Sequence, residues 1–498
     1  MTTPQAMDPV EVRQLGTVVQ VRRGVVVLDG LSSCVAGQLI QLGPRARGLV
    51  IGFRDHEALA LLLDARADLV VGQRVETSQE PWRLGVGEAL LGRIVSPLGE
   101  PLDGAPAPAA SSMGAVFRQA PGILQRMPVS RQLMTGLMSI DTMIPVGRGQ
   151  RELILGDRMT GKTTLALDAM LSQRAEDVVS VYCLIGHSHQ KLRQLLAFLE
   201  QHQARERTVI VAATASDSAS LQFLAPYAAC AVGEYFMDRR RDVLVVFDDL
   251  SKHAWAWRQV SLLMDRPPGR EAYPGDMFYV HAQIMERAGQ LSAALGGGSM
   301  TFLPICETQQ GDVTGYIPSN LIAMTDGQLY LSGDLFYEGM RPAIDLGLSV
   351  SRIGNKVQSP ALRQVSGQLR LEALQHRELR RLSQVGSRTT PELAGRLRRG
   401  RALQRLLRQG LHHLMSPEEQ LARCYAFGQG WLERLNEDGL LLCERGLSAA
   451  LPPPAQEALR VQTELTAPLR AQLDQALQAV LGRYLEEEPS RDAIVETR

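Results

Sequence analysis

Residues Gly156-Asp157-Arg158-Met159-Thr160-Gly161-Lys162-Thr163 fit the spacing G-x-x-x-x-G-K-[ST] between an apolar run, Leu153 to Leu155, and a helix-forming run, Thr164 to Leu171. Strand, glycine-rich loop and helix in that order leave little freedom in the fold. The glycines let successive backbone N–H groups converge on phosphate oxygens, and the start of the helix adds partial positive charge at the same point. Lys162 is then placed to reach the β- and γ-phosphates of a nucleotide, and Thr163 to offer its hydroxyl to Mg²⁺. All eight residues are candidate nucleotide-binding residues.

A second Mg²⁺ contact in such sites comes from an Asp that ends a buried strand. Val243 to Phe247 is an apolar run followed by Asp248-Asp249. Asp248 is assigned to the water shell of the metal, so the candidate metal residues are Thr163 and Asp248; Asp249 is left open.

Around this motif, apolar runs (Glu152 to Leu155, Val178 to Ile185, Thr208 to Ala213, Asp242 to Phe247, Thr301 to Pro304) alternate with helical stretches from about 150 to 350. That alternation predicts a parallel α/β sheet with its ligand at the carboxyl ends of the strands. Before it, short β segments (Gly16 to Val21, Gly24 to Leu28, Cys34 to Leu42, Arg47 to Phe53, Leu69 to Val75) predict a small barrel or sandwich. Residues 101 to 114, rich in Pro, Ala and Ser, read as an exposed connector. After about 360, helix formers dominate to Phe427, and helical patterning resumes from Ala455 to Glu487. The expected architecture is multidomain: an N-terminal β-barrel over residues 1–80, a central P-loop α/β nucleotide-binding domain with a parallel sheet over 81–360, and a C-terminal α-helical domain over 361–498.

Composition removes several alternatives. Lys plus Arg and Asp plus Glu both number 53, so no global field selects nucleic acid or an anionic membrane. The start, MTTPQAMDPVEVRQ, has no basic and apolar leader pattern, and no apolar run approaches the roughly 18 residues a bilayer span needs. The six cysteines are widely spaced, with no C-x-x-C pair, and read as core thiols. Arg396, Arg398, Arg399, Arg401, Arg405 and Arg408 crowd one helical stretch without interleaved aromatics, which favours a solvated helix face over a nucleic-acid surface. His412-His413 lacks ligand-spaced carboxylates or thiolates, which argues against a metal site there. Glu486 to Glu488 reads as a solvated helix end.

GDRMTGKT (156–163), ATASD (213–217), LAPYAACAVGEYF (224–236), DDLSK (248–252), RPPGREAYPGD (266–276), LPICETQQGDVTGYI (303–317) and GLSVSRIG (347–354) together resemble the α subunit of the rotary F-type ATP synthases, over most of the chain; GRIVSPLGEPLDG (92–104) is shared more widely among rotary ATPases. The resemblance implies ATP or ADP with Mg²⁺ as cofactors. It implies a regulatory, non-catalytic subunit alternating with a catalytic β subunit in an α3β3 hexamer, joined to a central-stalk γ subunit, a peripheral stalk and a membrane sector that moves protons or sodium ions, with no nucleic acid among the partners. The place implied is the cytoplasmic side of the cell inner membrane, as a peripheral protein. It assigns Arg352, within Ser351-Arg352-Ile353-Gly354, as an arginine finger given to the neighbouring catalytic site, and Arg341, Pro342 and Gln409 as purine contacts.

The departures from that family carry information too. Catalytic β subunits have G-E-R after the strand that follows the phosphate loop, the Glu polarising the attacking water; here Gly186-His187-Ser188 offers no carboxylate. Met159 and Leu411 each stand where the α family commonly has Gln, and His187 replaces another. About 15 residues precede Gly16, which is similar to the alternative, δ-lacking bacterial subtype. The runner-up reading is a catalytic, homohexameric flagellar or type III export ATPase, disfavoured by the missing Glu. A Rho-type RNA translocase would need basic and aromatic interleaving that residues 16 to 76 lack.

Overall fold

Six antiparallel strands close the N-terminal barrel: β1 (Arg13–Arg22), β2 (Val25–Asp29), β3 (Gln38–Gln41), β4 (Arg47–Arg54), β5 (Glu57–Leu62) and β6 (Arg74–Pro81), in the order β1-β2-β5-β4-β3-β6. This is a computed structural model, and it describes residues 13–22, 24–43, 46–64, 69–384, 391–460 and 464–485. Val18, Val26, Leu28, Ile40, Val50, Ala60 and Val75 fill the barrel interior, while Leu15, Val19 and Val21 alternate outward along β1, the period-two pattern of a strand. Gly16 is dictated by packing, because a Cβ there would stand 2.6 Å from the Asp29 carbonyl oxygen.

Two sequence expectations change here. Glu57–Leu62 (EALALL) is built from helix formers and went unnoticed, yet it is a strand hydrogen-bonded on both sides, to β2 and β4; ladder pairing and burial override its propensity. Leu69 to Val75, expected as a strand, is loop until Arg74, with Val70 and Val71 67% and 63% exposed. The expectation built on a short N-terminal arm, and the acidic run Glu486 to Glu488, lie outside the described residues.

The protein forms two compact units, one comprising residues 1–128, 149–155 and 173–325, the other 129–148, 156–172 and 326–498. The first holds the barrel and a parallel sheet of β7 (Ile94–Val95), β8 (Glu152–Gly156), β9 (Val178–His187), β10 (Thr208–Thr214), β11 (Asp242–Asp248) and β12 (Ser299–Glu307), ordered β8-β12-β11-β9-β10-β7. Strands β10 and β11 are buried at every residue, as expected of a parallel sheet covered on both faces. Its helices start on capping side chains: Ser188 before His189–Gln201, Ser218 before Ala219–Met237 and Asp249 before Leu250–Leu263. The edge strand β7 is too short to stand out in the sequence. Arg287 and Glu234, both fully buried, form a two-pronged ion pair at 2.8 Å.

The second unit carries the helix of the phosphate loop, Lys162–Ser172, an antiparallel pair of strands, Gly327–Leu331 and Val350–Ser351, and the C-terminal helices Pro360–Ser366, Leu369–Gln384, Pro391–Leu407, Pro417–Gly428, Glu437–Ala450, Pro453–Arg460 and Ala467–Leu481. The helix Glu437–Ala450 falls in a stretch the sequence pattern left unassigned. Asn436 caps it, and Gly446 interrupts its backbone at φ 143°. Within the arginine-rich stretch, Arg399 pairs with Glu372 and Glu433 and Arg405 with Glu437, which fits a helix face knit by ion pairs. All six cysteines are buried thiols outside any disulfide, and burial pushes the Cys230, Cys424 and Cys443 thiols up to about 12. Among the described residues no helix is long and apolar enough to cross a membrane.

Two fully buried imidazoles, His253 and His281, stack 5.5 Å apart beside Phe223. Burial pulls the His253 imidazole down from 6.5 to about 4 and His281 well below its ordinary value. The unfolded chain therefore binds more protons than the folded one between about pH 6.5 and 4, and stability falls as pH drops through that window. His253→Gln is expected to remove roughly 3 kcal/mol of this acid sensitivity, at 1.36 kcal/mol per pKa unit. Thermal midpoints of both proteins from pH 4 to 7 check this. The difference between them isolates His253 from the buried Asp141, whose carboxyl, raised by burial to about 6, acts in the opposite sense.

Candidate nucleotide site

The phosphate loop has the local geometry its glycines predict. Gly156 and Gly161 have φ of 154° and 99°, and a Cβ on Gly156 would lie 2.6 Å from the Leu331 carbonyl oxygen, so neither position tolerates a side chain cheaply. Met159 sits at φ 61° and is 91% exposed. Thr160 Oγ1 donates to the Asp157 carbonyl at 2.9 Å and tightens the loop. Lys162 Nζ donates to the carbonyl oxygens of Gly156 (2.7 Å) and Asp157 (2.5 Å). Its ammonium is thus held over the loop by neutral acceptors, which phosphate oxygens outcompete through their charge.

Beside the loop lies a cavity of about 270 Å³. Met159, Gly161 and Thr164 line it together with Arg341, Pro342 and Leu411, so the structure brings the loop and the expected purine contacts to one space. Arg341 lies 4.9 Å over the Phe336 ring, a flat, polarisable edge suited to a planar base. Gln409 also lines the cavity, but its amide is committed elsewhere. Its Oε1 accepts from Met138 N (3.0 Å) and its Nε2 donates to the carbonyls of Gly136 and His413, both at 2.6 Å. With both donors in use, it shapes the pocket through the backbone.

In the other unit, the carboxyl ends of β9 and β11 gather a second cluster. Asp248 is buried and accepts from His187 Nε2 (3.0 Å), Lys191 Nζ (2.8 Å) and the Tyr182 hydroxyl. Burial alone would raise the Asp248 pKa, but the His187 hydrogen bond and the Lys191 charge outweigh it and hold the carboxyl well below the usual range. Asp249 caps the next helix through Lys252 N (2.8 Å) and pairs with Lys252 Nζ. Ligand atoms of His187, Asp248 and Asp249 lie within 4.8 Å of one another, a set able to share one cation.

Comparison with known proteins interprets these two groups of residues. Residues 136–351 match the nucleotide-binding domain of the ATP synthase alpha/beta family, and residues 358–482 match the C-terminal domain of that family. An ATP synthase subunit alpha of Dehalococcoides mccartyi strain BAV1 is 43% identical over 440 residues, 88% of each protein. The corresponding protein of strain 195 is 41% identical over 477 residues, covering 96% of this sequence and 95% of its own. The chain belongs to the family of F-type ATP synthase alpha subunits. Nucleotide binding and membership of an ATPase complex come with that family.

The remaining expected residue, Arg352, follows the short strand Val350–Ser351, and its backbone N–H donates to Asp326 O at 2.8 Å. Ser351 Oγ bonds to Pro145 O (2.9 Å), fixing the turn. The Arg352 side chain is exposed, and among the described residues nothing bonds its guanidinium. Sequence reasoning missed Tyr182 and Lys191 as partners of Asp248; Lys191, four residues after His187, was the available signal. It also missed Asp168, a carboxylate in the otherwise apolar run Leu165–Leu171.

Because the Gln409 amide serves the fold, Gln409→Leu is expected to strand the buried Met138 N–H and to take the Gln409 bond from the His413 carbonyl, while Gly136 O keeps its bond from Met415 N; the expected cost is about 1–3 kcal/mol, the range for one stranded buried group. Denaturant titration of the full-length protein measures this. A stability change below about 0.5 kcal/mol, the usual range for substitutions that break nothing, contradicts the structural role.

Proposed function

We propose that this protein is the regulatory, non-catalytic nucleotide-binding α subunit of an F-type ATP synthase, alternating with a catalytic β subunit in an α3β3 ring that couples ATP synthesis or hydrolysis to proton or sodium transport. The observation that carries the reading is the end of β9: His187 stands there, bonded to Asp248, and supplies no carboxylate to activate water. The same absence counts against a self-sufficient export-type motor.

The residues fit the group they would hold. Gly156 to Thr163 cradle the phosphates of ATP or ADP, with Lys162 as the cation held over the loop, and Arg341 and Pro342 face the base. Thr163 and Asp248 would hold Mg²⁺, and an ionised oxygen donor such as Asp248 suits that hard cation. Bound there, the metal neutralises charge on the β- and γ-phosphates. Lys191 and His187 keep Asp248 deprotonated and oriented, so the protein's own residues bind and position nucleotide without transferring a proton to or from water. Arg352, exposed on a fixed turn, serves the adjacent β site as an arginine finger, where a planar multi-donor fork meets charge spread over the transferring phosphoryl group. In this reading the partners are the β subunit, a central-stalk γ subunit, a peripheral stalk and a membrane sector, on the cytoplasmic face of the inner membrane.

The purified full-length protein is expected to bind Mg-ATP yet hydrolyse it far more slowly than about 1 s⁻¹, the lower end of ordinary phosphoryl-transfer turnover. Equilibrium binding and phosphate release measured on one preparation decide it; steady turnover at that rate or above sinks the regulatory reading.

In the assembled complex, Arg352→Ala is expected to leave ring formation and nucleotide occupancy intact and to lower hydrolysis by about 10³- to 10⁵-fold, with Lys rescuing little. Turnover per assembled ring measures this, and a loss of only a few-fold with intact rings removes Arg352 from catalysis.

A further inference from the structure

Met159 leaves its thioether almost wholly in water. Its side chain is 91% exposed, against 53% for Met113 and 36% for Met127, while Met138, Met170 and Met415 are packed away. An apolar side chain gains nothing from that exposure, so the property that sets it apart from a leucine at this point is its oxidisable sulfur. The backbone fixes where the side chain starts. Met159 is at φ 61°, in the left-handed region that a residue carrying a Cβ adopts at a cost, and the bond from Thr160 Oγ1 to the Asp157 carbonyl (2.9 Å) closes the turn around it. The same side chain lines the cavity of about 270 Å³ together with Arg341 and Leu411. The sulfur is therefore open to a small solute and stands beside the space a nucleotide would fill.

We propose that Met159 is a modification site that couples nucleotide binding to peroxide: oxidation of its thioether weakens binding, and bound nucleotide shields the sulfur. The inference rests on the nucleotide reading of this cavity. In the step, a sulfur lone pair attacks one oxygen of hydrogen peroxide. The S–O bond forms, the O–O bond breaks, and the other oxygen leaves as hydroxide and takes up the displaced proton to become water. The sulfur gives up two electrons and the peroxide gains them. The product, methionine sulfoxide, is polar where the thioether was apolar. Its oxygen accepts hydrogen bonds and has no proton to donate, as is true of the phosphate oxygens that the N–H groups of such a loop are arranged to hold. Oxidation thus sets a second acceptor beside the anion and removes apolar surface from the cavity wall. A nucleotide in the cavity covers the sulfur in turn, so occupancy slows oxidation.

The test treats the full-length protein, freed of nucleotide, with hydrogen peroxide, with and without saturating Mg-ATP, and follows each methionine by peptide mass spectrometry. Met159 is expected to oxidise before Met113 and Met127, and Mg-ATP to slow its oxidation more than theirs. Calorimetry of the protein oxidised at Met159 is expected to show Mg-ATP bound about three- to tenfold more weakly, the range one unfavourable neutral polar contact is worth. Methionine sulfoxide reductase restores the affinity in this account. Met159→Leu, whatever its own affinity, is expected to keep that affinity through the same treatment; should it fail to fold, reversal by the reductase on the unaltered protein decides. Oxidation of Met159 no faster than that of Met113, a rate that Mg-ATP leaves unmoved, or an affinity that oxidation leaves unchanged each overturns the proposal. An equal loss in Met159→Leu does so too, by placing the effect at another methionine. Failure of Mg-ATP to bind the untreated protein overturns the nucleotide reading along with it, an outcome distinct from binding that oxidation leaves intact.

Discussion

One buried carboxylate organises the unit that carries the phosphate loop. Asp141 is wholly buried and accepts from Thr135 N (2.9 Å), Thr135 Oγ1 (2.8 Å), Gly136 N (2.9 Å) and Gln420 Nε2 (2.7 Å). Its own carbonyl accepts from Gln132 and Gln358. Residues nearly 300 positions apart in sequence are thereby tied to one short helix, Met138–Met143. Burial lifts the Asp141 carboxyl to about 6, against the pull of those donors, so four hydrogen bonds only partly offset desolvation. Such a network tolerates no missing member, because each lost donor leaves a charge in a medium that cannot solvate it.

The cavity beside the phosphate loop is tied to this knot. Gly136 and Met138, on either side of Leu137, are the residues that engage the Gln409 amide, and Gln409 N in turn bonds Arg341 O at 2.7 Å. A series of hydrogen bonds thus runs from Asp141 to the arginine that faces the cavity. The polar side chains of this region hold the backbone, and the surfaces they leave toward the cavity are mostly apolar or flat.

Much of this was legible in the sequence, and the failures share a cause. The phosphate loop, the apolar strands of the parallel sheet and the helical C-terminal region stand out because their signals are local: glycine spacing, continuous apolar runs and helix propensity. Glu57–Leu62 was invisible because its residues favour helix and only pairing with β2 and β4 makes it a strand. Leu69–Val71 reads as β by composition, yet it lies outside the barrel strands, which resume only at Arg74. The candidates Lys162 and Asp248 come from local motifs and Arg341 from the family resemblance, whereas the commitment of the Gln409 amide to Gly136 and His413 depends on contacts up to 273 residues away. The His412–Asp168 pair spans 244 residues and carries no spacing signal at all.

The electrostatics at the end of β9 explain what a histidine at position 187 does for the two carboxylates beside it. Asp248 and Asp249 already place two buried carboxylates side by side, offset by Lys191 and Lys252. A third carboxylate at 187, with its ligand atom inside the same 4.8 Å cluster, would raise the cost of keeping all of them ionised, since like charges disfavour one another in a buried site. Such strain is useful to a catalytic base, whose proton affinity must lie near the working pH. Imidazole does the reverse: it hydrogen-bonds Asp248, helps hold that carboxyl ionised and adds no negative charge. The cluster therefore holds Asp248 as a fixed, oriented anion, and the non-catalytic role proposed above rests on this absence of a third carboxylate at position 187.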